Sequence, residues 1–465
     1  MSSLLLAYEK VSMDTLQSTR HALPDLPFEI LYTIIDEACK WQYERFLSSI
    51  PRVCHAFRVQ CYRKRFAKIT FRGDLELLRK MRRLRDLMES EPLGGSRMPG
   101  VSSFILSFEI RSRDLLSFLN DESMVPIMRK LFRPTSNPII ISPSSLRVLQ
   151  LSGHQDHRVD WSSLSESFVS AFHDLCQNSL STSLGLTYFV NVPRNFLRGA
   201  NRVKNLKLWS VSCADYSYAS CGTEELFGIY LESLDINQST LSSNLLHMTG
   251  HDSSAIAESD LAEVVSRLKK LQVSFWNKSV TETAFLIVHE AINLQSLKLS
   301  CFDHSDREQL HFLLDYRSHS QLQHLVIEIE TTYEQITFPF RKTMEIVDNC
   351  LGQHIPPSIA NIEMAFSITT RYDEIPSFAE STDFCHDISI IVNRFMETNF
   401  VQPTRIIIRL EFCRRNSDYD LFGPPNWEPV FLERLSQAFC CLKGKANLDW
   451  KFEIGQKDTS FVLSY

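Results

Sequence analysis

From Leu146 onward the chain repeats one short pattern, L-x-x-L-x-L, and this limits the folds open to it more than any other feature. The copies are Leu146-Leu149-Leu151, Val203-Leu206-Leu208, Leu231-Leu234-Ile236, Leu268-Leu271-Val273, Leu294-Leu297-Leu299, Leu322-Leu325-Ile327 and Ile359-Ile362-Met364. A weaker copy, Leu184-Thr187-Phe189, fills the long gap after the first. Ile406-Ile408-Leu410 and Trp450-Phe452-Ile454 read as two further buried strands whose opening Leu is lost. Starts at 146, 184, 203, 231, 268, 294, 322 and 359 lie 19 to 38 residues apart, irregular but within the range of repeat proteins. Apolar residues at every second position put one face of each strand against a core.

Helical patterns sit between these strands. They cover 260–265, where Asp260 is placed to cap, then Thr281 to Ala291, Asp306 to Tyr316, Phe340 to Leu351, Ile388 to Met396 and Pro429 to Leu442. Phe104-Leu106-Phe108-Ile110 alternates strictly and predicts an early strand. Strand, loop, helix, strand is the rhythm of a parallel sheet whose units stack on their neighbours, so the expected class is α/β. The competing architecture is a single doubly wound domain, which shows the same alternation. Ten similar strands without a Gly-rich phosphate loop favour the stacked array.

In this register the residues between the leucines lie on the open face. They include Asn205, Lys207 and Trp209, then Ser233, Asp235 and Asn237, then Lys270, Gln272 and Ser274. Ser296, Lys298 and Ser300 follow, then His324 and Glu328, Asn361 and Glu363, and Arg405 and Arg409. Any half-exposed strand alternates in this way, but aromatic and Arg side chains are the usual anchors of recognition patches. Trp209, Trp276 and Arg409 are therefore the candidate contacts for a target protein.

The N-terminal stretch from His21 to Phe71 has a different pattern. Pro27 suits a first helical turn, because its missing N–H is not needed there. Ile30, Leu31, Ile34, Ile35 and Ala38 then form one apolar stripe; beyond Pro51, Val53, Cys54, Phe57 and Cys61 form another. Three short helices of this size bury too little surface to stand alone, so the segment wants a partner. Leu26-Pro27-Phe28-Glu29-Ile30-Leu31 and Val53-Cys54-His55-Ala56-Phe57 resemble an F-box, with Phe57 where that family usually has Trp. The resemblance covers roughly a tenth of the chain, about 45 residues. The later repeats resemble a leucine-rich-repeat solenoid. They depart from it where that family often carries Asn or Cys, since those positions hold Val211, Ser239, Trp276, Phe302 and Glu330. Without an Asn ladder the turns must satisfy their backbone groups otherwise.

Composition excludes several classes. At 465 residues, 44% hydrophobic and 22% charged, the chain is a folded protein longer than one typical domain. A net charge of −6 argues against general nucleic-acid binding. No apolar stretch approaches a membrane span, and the start MSSLLLAYEK has no secretory pattern, so an intracellular location with reduced cysteines is expected. No phosphate-binding or nucleophile-elbow motif occurs. His247 and His251, His154 and His157, Cys213 and Cys221, and Cys440 and Cys441 lack the partners of a metal site. No enzyme activity, cofactor or metal is expected.

The segment from Asp74 to Met88 reads as an amphipathic helix with Leu75, Leu78, Met81, Leu84 and Leu87 or Met88 inward. Arg79, Lys80, Arg82, Arg83 and Arg85 lie outward; a solvated face is the commoner reading, an acidic partner or localisation signal the rarer. The division expected is a tail over 1–20, an F-box-like module over 21–71, a connector with an early strand over 72–145, a solenoid over 146–455 and a tail over 456–465. Resemblance to F-box leucine-rich-repeat proteins, especially the divergent fungal kind, implies a substrate adaptor of a Skp–cullin–F-box ubiquitin ligase. Leu26, Pro27, Ile30, Ile34, Ile50, Val53 and Phe57 would then dock the Skp adaptor and, through it, cullin, while the array holds the target. Two alternatives stand beside it: an interaction scaffold outside any ligase, and an enzyme with a site assembled on the array.

Overall fold

The computed structural model describes residues 55–73, 76–89, 101–132, 147–178, 182–193, 196–197, 203–212, 231–237, 265–275, 284, 287–303, 314–332, 340–352, 354–370, 382–398, 400, 402–414, 433, 436–437, 440–442 and 447–457, with 30, 33 and 37 before them. α1 (His55–Phe66) runs into β1 (Lys68–Arg72), followed by α2 (Glu76–Glu89), β2 (Ser107–Arg111), α3 (Leu115–Leu119) and α4 (Met124–Phe132). Then come β3 (Arg147–Ser152), β4 (Val159–Asp160), α5 (Glu166–Asn178), β5 (Thr182–Thr187), β6 (Phe189–Val190), β7 (Val203–Trp209) and β8 (Ser233–Asn237). The rest is β9 (Lys270–Phe275), β10 (Ser296–Asp303), β11 (His324–Thr332), α6 (Phe340–Leu351), β12 (Asn361–Thr370), α7 (Thr382–Glu397), β13 (Thr404–Arg414) and β14 (Leu448–Lys457).

The protein is α/β, and twelve of these strands form one parallel sheet in the order β1-β2-β3-β5-β7-β8-β9-β10-β11-β12-β13-β14. Within this sheet the strands follow one another in chain order. β4 and β6 form a separate two-stranded sheet. Two apolar rows cross the large sheet in register. One runs from Phe108 through Leu149, Leu184, Leu206, Leu234, Leu271, Leu297, Leu325 and Ile362 to Ile406. The other runs from Ile110 through Leu151, Leu186, Leu208, Ile236, Val273, Leu299, Ile327 and Met364 to Ile408. No member of either exposes more than 2% of its surface. They share one continuous core with the buried residues of α2, α4, α5, α6 and α7.

The first Leu of the repeat closes a turn in front of the strand. The N–H groups of Leu268, Leu294, Leu322 and Ile359 donate to the carbonyls of Val265, Ala291, His319 and Pro356. Gln295, Gln323 and Ala360 then donate to Lys269, Gln295 and Gln323, which ties successive turns together. At the other ends of β1, β2, β3, β5 and β7, main-chain bonds carry the pairing one residue beyond the strand. Gly73, Ser112, Gly153, Tyr188 and Ser210 donate to the carbonyls of Arg111, Ser152, Thr187, Trp209 and Asn237.

Local readings from the sequence need four corrections. The copy at Leu184 is displaced by three residues: Leu184 and Leu186 are its two core residues, opposite Leu149 and Leu151. Tyr188, at φ 60°, then turns the chain so that Phe189 begins β6 rather than continuing β5. Leu106 is exposed and Ile105 buried, because 101–104 is a short 3-10 turn and the alternation begins only at β2. In α2, Met81, Leu84 and Met88 are buried as the pattern predicts, but Leu77 joins them in place of Leu78, which is half-buried, and Leu87 is 52% exposed; Leu75 lies outside the described residues. Finally, Lys68–Arg72, which crosses the expected boundary between 71 and 72, is the first strand of the sheet.

His319 shows how polar groups enter this core. It is fully buried, Nε2 lies 2.7 Å from the Val288 carbonyl oxygen, and Nδ1 lies 3.2 Å from Ser318 Oγ. Burial pushes its pKa below the usual imidazole value, against the opposing pull of the Val288 carbonyl. The fold therefore favours neutral His319, and stability falls as pH drops below 6.5, where the unfolded chain takes up a proton that the native state resists. Urea unfolding between pH 7 and pH 5 checks this: His319→Gln is expected to flatten the dependence in that window, and an unchanged slope would assign it elsewhere.

Candidate recognition face

The strand residues between the core rows form three outward rows. One contains Lys68, Ser107, Val148, Ser183, Asn205, Ser233, Lys270, Ser296, His324, Asn361, Arg405 and Asp449. Beside it run Thr70, Glu109, Gln150, Gly185, Lys207, Asp235, Gln272, Lys298, Val326, Glu363, Ile407 and Lys451. Trp209, Asn237, Ser300, Glu328, Ala365, Arg409 and Glu453 belong to the third.

Neighbouring strands place opposite charges side by side, so the face is largely self-paired. Lys207 Nζ lies 2.9 Å from Asp235 Oδ2 and 5.7 Å from the centroid of the Trp209 ring. Lys298 Nζ is 2.8 Å from Glu328, which also accepts from Ser300 Oγ at 3.2 Å. Arg409 bridges two strands: Nη1 is 2.6 Å from Glu363 and Nη2 3.0 Å from Glu453. The hydrogen bond to Glu453, with both carboxylates nearby, holds its pKa above the ordinary guanidinium value. Lys451 lies 2.9 Å from Glu453, and the bonds to Lys451 and Arg409 keep that carboxyl below its usual range. At the other end Glu109 is buried. Burial would raise its pKa, but the Arg111 and Lys68 cations overcome this and the carboxyl titrates low.

Of the three candidate target contacts, Trp209 and Arg409 stand half-buried in the same outward row, on β7 and β13. Trp276 lies outside the described residues. Arg409 is held by two carboxylates, which pre-orients it. Glu453 and Lys451, absent from the sequence reading, complete its surroundings; extending the alternation beyond Arg409 to the last strand would have found them. Two polar oxygens on the face, Asp235 Oδ1 and Ser274 Oγ, are buried without a hydrogen-bond partner among the described residues.

For the adaptor contacts, Ile30 is helical and 45% exposed, and Phe57 lies on α1. Leu26, Pro27, Ile34, Ile50 and Val53 fall outside the described residues. The basic face of α2 is partly neutralised: Arg82 lies 2.8 Å from Asp121 and Arg85 3.1 Å from Glu122. Among the described residues no group of His, Cys, Asp and Glu could hold a metal ion, and no helix is long and apolar enough to cross a membrane. His154 and His157 form an isolated bridge beside Asp156; His247, His251, Cys213 and Cys221 fall outside the described residues.

Fold and face together define an α/β protein with a twelve-stranded parallel sheet and a polar, cross-paired outer surface. Neither a family model nor a curated protein matches the chain.

Proposed function

We propose that the chain is a non-enzymatic substrate adaptor of a Skp–cullin–F-box ubiquitin ligase. The residues from Leu26 to Phe57 dock the Skp adaptor, and a leucine-rich-repeat-like solenoid holds the target protein. The observation that carries this reading is the sequential order of twelve parallel strands. A doubly wound sheet reverses its strand order at a switch point where ligands bind; stacked repeats do not. Helices pack on the apolar rows, and the opposite rows carry charged and aromatic residues suited to a protein surface. The F-box-like motif supplies the other half of the reading, and an exposed apolar Ile30 within it suits a docking helix.

Catalysis in this scheme comes from holding the target beside the ubiquitin-loaded conjugating enzyme, which makes the transfer effectively intramolecular. The chain contributes no acid, base or nucleophile. Purified full-length protein is expected to capture recombinant Skp adaptor and, with it, cullin. Leu26→Ala combined with Pro27→Ala is expected to abolish capture, at least a hundredfold by titration, while circular dichroism stays native. Adaptor capture without cullin would instead favour a scaffold. Capture that survives the double substitution would remove the F-box assignment.

A further inference from the structure

The sheet ends at β14, and among the described residues no strand lies beyond it. At ten residues β14 is twice as long as β1, the five-residue strand at the opposite edge. It contains no Pro, and its pairing with β13 runs without a bulge from Leu448 to Lys457. Long regular edges of this kind are templates for another strand.

The outward-pointing groups follow from one bond. Thr404 donates to the Asn447 carbonyl at 2.8 Å, in a parallel register that sets Thr404 opposite Leu448. In a parallel ladder alternate residues bond to the same neighbour. Asp449, Lys451, Glu453 and Gly455 therefore bond to β13. The N–H and C=O groups of Leu448, Trp450, Phe452, Ile454 and Gln456 point away from the sheet.

We propose that this edge docks a second copy of the chain, strand against strand and antiparallel, about a two-fold axis through Phe452. In that register Leu448 faces Gln456 of the other copy, Trp450 faces Ile454, and Phe452 faces itself. Every outward group is then used, in the closely bonded pairs of an antiparallel ladder. Among the registers that bond at least four of these five outward residues it is also the one that matches charge; a centre at Trp450 sets Asp449 opposite Lys451 but bonds only three of them. Lys451 of each copy lies opposite Glu453 of the other, and Asp449 lies opposite the uncharged Gly455. Sliding the centre to Lys451 sets Lys451 against itself and Asp449 against Glu453. A centre at Glu453 sets that carboxylate against its own copy. Like charges directly opposite are destabilising, so both alternatives are disfavoured. Lys451 and Glu453 already lie 2.9 Å apart within one chain, so the pairing makes Lys451 and Glu453 of the two copies alternate, beside the Arg409 that each Glu453 already holds. An isologous contact of this kind closes as a dimer.

Sedimentation equilibrium of the full chain over a concentration series tests this, with 53.7 kDa as the monomer mass. A concentration-dependent rise to twice that mass is expected. Lys451→Glu and Glu453→Lys each set like charges opposite one another and are expected to weaken the dimer about tenfold. An equimolar mixture of the two restores opposite charges at both places and is expected to form the heterodimer at near wild-type affinity, whereas loss of fold would not be rescued by mixing. A chain that stays monomeric up to about 100 µM, well above ordinary dimer affinities, overturns the proposal. So does a dimer indifferent to either substitution, or a mixture that does not associate. Adaptor capture is read separately, so failure here leaves the ligase reading standing.

Discussion

Gly352→Ala is expected to destabilise the protein by about 3 kcal/mol. Gly352 follows α6 at φ 72°, a left-handed conformation that costs an L residue about 1–2 kcal/mol. Its N–H donates to the carbonyls of Asp348 at 3.1 Å and Asn349 at 3.2 Å, closing the end of the helix as glycine commonly does. A methyl group here would also strike the Leu314 carbonyl oxygen and come within 3.0 Å of the Tyr316 ring. The segment cannot move aside freely. Leu314 donates to the Asn349 carbonyl, and buried Tyr316 donates its hydroxyl to the Cys350 carbonyl, so the residues that would clash also cap the helix. Gly153→Ala is the matched control: it has no positive φ, and a Cβ there would meet Tyr188 and Val159 no closer than 3.4 Å. Its cost is expected to stay below about 1 kcal/mol. Equal losses from the two substitutions in urea unfolding would contradict the geometry at α6.

Leu299→Ala is expected to cost about 3–4 kcal/mol, and its neighbour Lys298→Ala less than about 1 kcal/mol. Leu299 is fully buried between Val273 and Ile327, and its loss leaves a cavity that the flanking strands, each fixed by its own ladder, cannot close. Lys298 lies on the other face, where its pair with Glu328 is about one-third exposed and screened by water. Alternating large and small costs along β10 would follow from a sheet with one apolar and one polar face. Comparable losses at both positions would require both faces to be packed, as in a doubly wound sheet.

Much of this was legible in the chain. The spacing of Leu294, Leu297 and Leu299 and its counterparts located the central strands and their core residues, because a period of two against a one-sided core leaves a clear apolar trace. The helix over Phe340–Leu351 was equally plain. The early part was harder to read. Leu184, Thr187 and Phe189 fit the template as well as Leu184 with Leu186, and only the positive φ at Tyr188 separates them. Arg409 stood out as a candidate anchor, but its two carboxylate partners come from strands 46 and 44 residues away, a proximity that no local pattern encodes.

Side-chain chemistry along the chain thus set the class, the strand positions and the polarity of each face, since burial period and turn residues are local properties. Which charges meet across the sheet, how successive turns bond to one another, and which strand stands at the edge among the described residues arise when separate segments are brought into register. Those are relations between residues far apart in the chain, and the register of the assembled strands is what fixes them.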